Sequence, residues 1–182
     1  MNRAVNSSSW SPDADRDAPV PRRLILRDDQ RMRNLRGLPR KVQENPEPLG
    51  MKAWTLIAHG LPERAFELRD HPDPRPGPGQ VLIQCEGFGL NYADAMAVRG
   101  LYREAPPLPS IIGYEVVGRV IGMMADTPTE LLGKRVVAMT RFGGYAEMAV
   151  TDHRACAEIP DQLPIGEAAA LATQGSTAWY AA

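Results

Sequence analysis

Residues 71–79 read HPDPRPGPG, with a proline at every second position from Pro72 to Pro78. Proline fixes φ and offers no N–H to a ladder, so neither a helix nor a central strand can run through this segment. The two glycines supply turns, and the chain must fold as short pieces on either side. Upstream, MKAWTLI and AFELRD flank a polar bend; downstream, QVLIQCEG has nearly alternating faces. YEVVGRVIGMM, KRVVAMT and GYAEMAV follow, each β-branched or alternating and each bounded by Gly, Pro or charged turns. Between them NYADAMAVRG has helical composition and closes on Gly100 as a C-cap, and a second helix, PIGEAAALAT, begins near Pro164 and leads into QGSTAWYAA. Many short strands with short helices predict a mainly β fold, a partly open β-barrel.

Residues 1–50 have a different texture. They hold ten basic side chains against seven acidic ones, a local net charge of +3, with six prolines and few aromatics. So little apolar area cannot offset ordering entropy, and this stretch is expected to be a disordered extension, with a short helix around LILRDDQRMRNLRG. Asp13, Asp15, Asp17, Asp28 and Asp29 among the arginines argue against a nucleic-acid arm or a transit peptide. Over all 182 residues the formal net charge is −1, which gives no general attraction to nucleic acid or anionic membrane. The longest apolar stretch, IIGYEVVGRVIGMM, is broken by Glu115 and Arg119 and is too short to span a bilayer. Cys85 and Cys156 match no disulfide framework; they read as small buried hydrophobes in a reducing, cytoplasmic compartment.

Few residues announce chemistry. His153 and Cys156 are three apart, but zinc requires three or four convergent ligands and no second pair has suitable spacing. His59 falls at a strand end and His71 in the proline-rich turn, where solvated histidines are common. Ser110 and Ser176 have no base near them in sequence, and no G-x-S-x-G is present. No G-x-G-x-x-G follows the last helix, so the pyrophosphate of a dinucleotide has no recognisable cradle.

MKAW, RPGPGQVLI, GFGLNYADAMAVRGLY, PPLPSIIGYEVVGRV, GKRVVAMTRFGGYAEMAV and PIGEAAALATQGSTAWYAA resemble, in order and spacing, the N-terminal GroES-like domain of medium-chain dehydrogenases/reductases. Within that superfamily they are most similar to the zinc-independent quinone oxidoreductases and the VAT-1-like proteins. The resemblance covers residues 51–182 and implies a GroES-like barrel over 51–163, a helical bridge over 164–182 and a Rossmann domain that should follow. Met51-Lys52-Ala53 matches the usual start of family members, which makes residues 1–50 an added leader or the product of an upstream start site. Asn91 and Tyr114 stand where the zinc branch has Cys and His, so the implied chemistry is metal-free. Ile112 replaces the usual proline.

By the same resemblance Asn91, Asp94, Tyr102 and Thr177 line the cleft near a nicotinamide. Asn91 and Tyr102 are the expected catalytic residues; Asn91, Asp94 and Thr177 are expected to contact NADPH. Against each stands a structural role: Asn91 capping its helix, Tyr102 packing on the barrel, Asp94 bonding backbone amides, Thr177 merely helical. Glu115, in GYE, is expected to be structural, and GGYAE is a signature of the fold. The implied reaction is hydride transfer from NADPH to a small quinone or enone. The chain is therefore expected to be the N-terminal catalytic-domain fragment of such an enzyme, inactive alone and needing a Rossmann partner or a longer product. The alternatives are a stand-alone GroES-like binding module and a non-catalytic truncated product.

Overall fold

The computed structural model describes residues 24–26, 50–125 and 127–182. The expected disorder of residues 1–50 thus lies outside the described residues, apart from Gly50 and β1 (Leu24–Leu26). That short piece is a strand where the sequence predicted helix. It pairs antiparallel with residues 122–124 at the end of β5 (Glu115–Met124), past the point where β6 (Arg135–Met139) stops.

The proline-rich segment separates two sheets as its chemistry requires. Before it, β2 (Met51–Leu56) and β3 (Phe66–His71) form a hairpin around the single helical turn α1 (Pro62–Ala65), with Met51 opposite His71 and Leu56 opposite Phe66. After it, β4 (Gln80–Phe88) enters the larger sheet, whose order is β7-β4-β5-β6-β8 with β1 on β5. β7 (Met148–Asp152) starts later than GYAEMAV predicted, and β8 (Cys156–Glu158) is too short to have shown a period. Every pairing among the described residues is antiparallel. The sheets do not close into a barrel, so the fold is mainly β with short helices and an open wall. The hairpin is tied to the larger sheet by loop contacts: Trp54 N–H to the Tyr145 carbonyl at 2.8 Å, and the reciprocal Leu56–Ser110 pair at 2.8 and 3.0 Å.

β5 is the spine. It lies between β4 and β6, and Val116, Val117 and Val120 are fully buried, so both of its faces are apolar and no clean alternation appears. Val81, Ile83, Val116, Val120, Val136, Ala138 and Ala149 make one core, against which half-buried Cys85 and Cys156 pack. Val117, Val137 and Ile159 on the other side receive Ala168, Ala169 and Ala172 of the C-terminal helix. That helix is α3 (Ile165–Ala170), a π-turn over Leu171–Gly175, then α4 (Ser176–Ala181). Its small residues let the helix lie close on the sheet, which fixes its direction relative to the site.

Arg135 secures the turn from which this helix departs. Its side chain is nearly buried; Nε donates to Glu86 Oε2 at 2.7 Å, and Nη1 donates to the carbonyls of Pro160, Asp161 and Leu163 at 3.0, 3.1 and 2.7 Å. Two histidines also hold the frame. His71 ends β3 instead of lying in the turn, its Nε2 2.7 Å from Thr55 Oγ1, and His153 Nδ1 lies 2.9 Å from the Gly79 carbonyl, where it pins the turn into β4.

Candidate functional site

Asn91 follows β4 by three residues and is the N-cap of α2 (Tyr92–Val98), with extended backbone at φ −118° and ψ 157°. Asn is favoured there because a helix start leaves N–H groups without partners. Asp94, in the first turn, returns Oδ2 to the Asn91 backbone N–H at 2.9 Å in a capping-box arrangement. The helix ends as predicted at Gly100, whose φ of +71° is the left-handed C′ conformation.

The Asn91 side chain does more than cap. Its Nδ2 donates to Glu115 Oε1 at 3.0 Å, and Glu115 is 0% exposed. Glu115 Oε2 accepts the Thr173 backbone N–H at 2.6 Å, from the π-turn of the C-terminal helix. A buried carboxylate requires such donors, and here they come from two separate elements. The π-turn interrupts the regular helical ladder where this N–H is given away. Gly89 makes room: a Cβ there would collide with the Glu115 carboxyl. Gln174 adds a second tie, Nε2 donating to the Leu90 carbonyl at 3.3 Å.

Tyr102, just past Gly100, is half-buried against the cluster of Leu56, Ala97, Val98, Ile112 and Tyr145. Its ring meets Tyr114 edge-on, centroids 5.9 Å apart at 89°, and Tyr114 in turn contacts Phe142 at 5.4 Å. The Tyr114 hydroxyl is buried without a well-formed hydrogen bond, and burial, then Tyr102, push this phenol well above its usual range. Tyr102 thus contacts Tyr114, and the next residue in sequence, Glu115, is the one that binds Asn91. Ile112, in place of the proline, is fully buried and fills the same cluster.

Asp94 is buried, and burial is the main reason its carboxyl lies above the ordinary value, Glu115 adding to the rise while the Asn91 N–H and Tyr145 oppose it. Tyr145 is raised too, by burial first and then by Asp94. Thr177 lies apart from these groups. It is exposed, and its hydroxyl donates to the Thr173 carbonyl one turn back at 2.7 Å. The residue that sequence reasoning missed on this helix is Thr173, whose contribution is a backbone N–H and so carries no side-chain signal. Among the described residues no group of three or more His, Cys, Asp or Glu is placed to hold a metal ion.

This arrangement can orient one amide, that of Asn91. Leu90 and Tyr92, beside Asn91 in sequence, and Leu171, Trp179 and Tyr180 of the C-terminal helix are large apolar side chains left exposed. No helix among the described residues is long and apolar enough to cross a membrane.

The model of the alcohol dehydrogenase GroES-like domain matches residues 77–161. Quinone oxidoreductase-like protein 2 of Mus musculus is 38% identical over 106 residues, which is 58% of this chain and 30% of that protein. The crystal structure of the human synaptic vesicle membrane protein VAT-1 homolog-like protein superposes with a TM-score of 0.69 at 28% identity, covering 74% of this chain and 43% of that one. The quinone oxidoreductase of Thermus thermophilus, solved also in complex with NADPH, gives 0.60 at 37% identity over 72% of this chain and 40% of its own. The chain thus spans less than half the length of each of these relatives.

Proposed function

We propose, on the premise that this chain carries the GroES-like domain of the medium-chain dehydrogenase/reductase superfamily, that residues 51–182 form the substrate side of a zinc-independent, NADPH-dependent reductase of small quinones or enones. The observation that carries this reading is the Asn91 amide, held at the start of α2 by a carboxylate that also grips the C-terminal helix. An amide fixed at the junction of the two elements suits the ribose or carboxamide of a nicotinamide, with Tyr102 beside the substrate. We read residues 51–163 as the domain proper and 164–182 as a bridge. Strongly exposed Trp179 and Tyr180 on that bridge support a further covering body, a Rossmann domain in a longer product or on another chain.

The described residues fit the cofactor in part. They offer the nicotinamide end polar groups at Asn91, but no Gly-rich turn among them leads from a strand into a helix N-terminus, as a pyrophosphate requires. By itself the chain is therefore expected to bind NADPH feebly. When bound, NADPH supplies a hydride for a quinone or for the β-carbon of an enone. Asn91 orients the donor side, Tyr102 offers a hydroxyl and a ring to the acceptor, Asp94 holds the turn that carries Asn91, and Thr177 borders the cofactor from the bridge. A neutral amide and a phenol at 91 and 114 do not replace a thiolate and an imidazole, which supports chemistry without zinc. Free Cys85 and Cys156 support a reducing, cytoplasmic setting.

The test grafts residues 51–182 in place of the matching region of the Thermus thermophilus quinone oxidoreductase and follows loss of NADPH absorbance with 1,4-benzoquinone or cyclohexenone. The graft should turn over, and Asn91→Ala should lower the rate about 100-fold. A folded graft that binds NADPH but reduces neither acceptor would sink the proposal.

A further inference from the structure

We infer that Glu115 is the positioning residue of this site: it locks the Asn91 amide in one rotation, and it does so only through its simultaneous bond to the bridging helix. The inference rests on the reading that Asn91 faces the nicotinamide.

An unrestrained Asn side chain can turn its amide over and exchange donor for acceptor to suit a ligand. Asn91 cannot, because a carboxyl oxygen that accepts the Thr173 N–H on one side presents an acceptor to Asn91 on the other. Only Nδ2 satisfies it, so the orientation of the amide follows from the partner. The carboxyl is itself immobile. Both of its oxygens are committed, its side chain is wholly buried, and the backbone of Gly89 lies against it where any Cβ would collide.

The three groups come from the loop after β4, the start of β5 and the π-turn of the last helix, which are separated in sequence by 24 residues between Asn91 and Glu115 and 58 between Glu115 and Thr173. Displacing the helix would take one donor from a buried carboxyl and free it to rotate. The face that Asn91 shows to the cleft is thus set by the seating of the bridge, and a ligand that closes on the bridge meets an amide already oriented. Preorganisation of this kind improves binding by removing an ordering cost from the ligand.

The hydrogen-bond polarity of the pair can be reversed, which separates positioning from plain support. In Glu115→Gln the new amide keeps its oxygen toward the fixed Thr173 N–H and turns its own N–H toward Asn91, which can pair with it only by turning its amide over to offer Oδ1. When Asn91→Asp is combined with Glu115→Gln, the carboxylate introduced at position 91 accepts from the amide introduced at position 115. The oxygen of that amide accepts from the Thr173 N–H, so the pairing is kept while no amide remains at position 91.

The 15N-labelled full chain is titrated with reduced nicotinamide mononucleotide, with thermal unfolding recorded for each variant. In the unsubstituted chain one Asn91 amide proton should resonate well downfield of the other, and the pair should shift saturably with the probe. E115Q should collapse that separation and weaken probe binding about tenfold. The double variant should keep an unfolding midpoint close to that of E115Q without recovering the affinity. Unchanged affinity in folded E115Q, or a double variant that binds as the unsubstituted chain does, would show that Glu115 gives support alone and overturn the inference. If the unsubstituted chain gives no response at Asn91, the inference and the nicotinamide reading fall together.

Discussion

Arg135→Met removes the clamp under the C-terminal helix while keeping a side chain of similar length in the same buried position. In the native fold the Arg135 side chain is 5% exposed and that of its partner Glu86 is 32% exposed. Removing one partner of a buried ion pair costs about 3–5 kcal/mol, mostly because the other is left unpaired. Glu86 is open enough to regain water, which takes the value below that range. The carbonyls of Pro160, Asp161 and Leu163 lose a shared donor, which brings the estimate back to about 3 kcal/mol. Glu86→Gln keeps an acceptor for Nε and leaves the three carbonyl bonds intact, so it should cost only about 1 kcal/mol. Urea unfolding followed by tryptophan fluorescence measures both. In a chain of this length about 3 kcal/mol lowers the melting midpoint by about 6–12 °C. Hydrogen exchange should speed up first at residues 159–170. A loss under about 1 kcal/mol for Arg135→Met, or equal losses for the two variants, would refute the argument that carbonyl clamping dominates.

Two further outcomes follow from buried titratable groups. The folded-state pKa of Asp94 is raised, chiefly by burial, so its favourable contribution is complete below the unfolded value of about 3.8 and is lost as pH rises through the higher folded value. Asp94→Asn, which keeps an oxygen for the Asn91 N–H, should gain on the native chain over that rise in urea midpoints; parallel curves across the window would count against a strained carboxylate. Burial likewise pushes the Cys85 thiol up to about 12 and Cys156 up to about 11, Asp152 adding to the latter. Native chain at about pH 8 should therefore resist iodoacetamide over a time that fully labels urea-unfolded chain, and labelling of either cysteine at the unfolded rate would contradict their protected state.

Much of the fold was legible in the sequence because it rests on local chemistry. HPDPRPGPG had to break the chain, the alternating run from Gln80 had to be a strand, and Gly100 had to end its helix, since proline and glycine constrain the backbone wherever they stand. The order of motifs was enough to point to the GroES-like domain whose model matches residues 77–161. Neighbours alone misled where long-range pairing prevailed. LIL sits in a segment of helical texture, yet the open edge of β5 beyond β6 draws it into a strand, and His71 belongs to β3 because Met51 and Thr55 lie across the hairpin.

The candidate site divides in the same way. Asn91 and Asp94 are three apart, so their capping relation is written in the sequence. That Glu115 binds Asn91 and Thr173 together is not, because one partner is a backbone N–H exposed by a π-turn and the others are far apart along the chain. Sequence determined which groups could be donors and acceptors; only the tertiary structure decided which of them are buried together, because removal from water is what obliges each to find a partner.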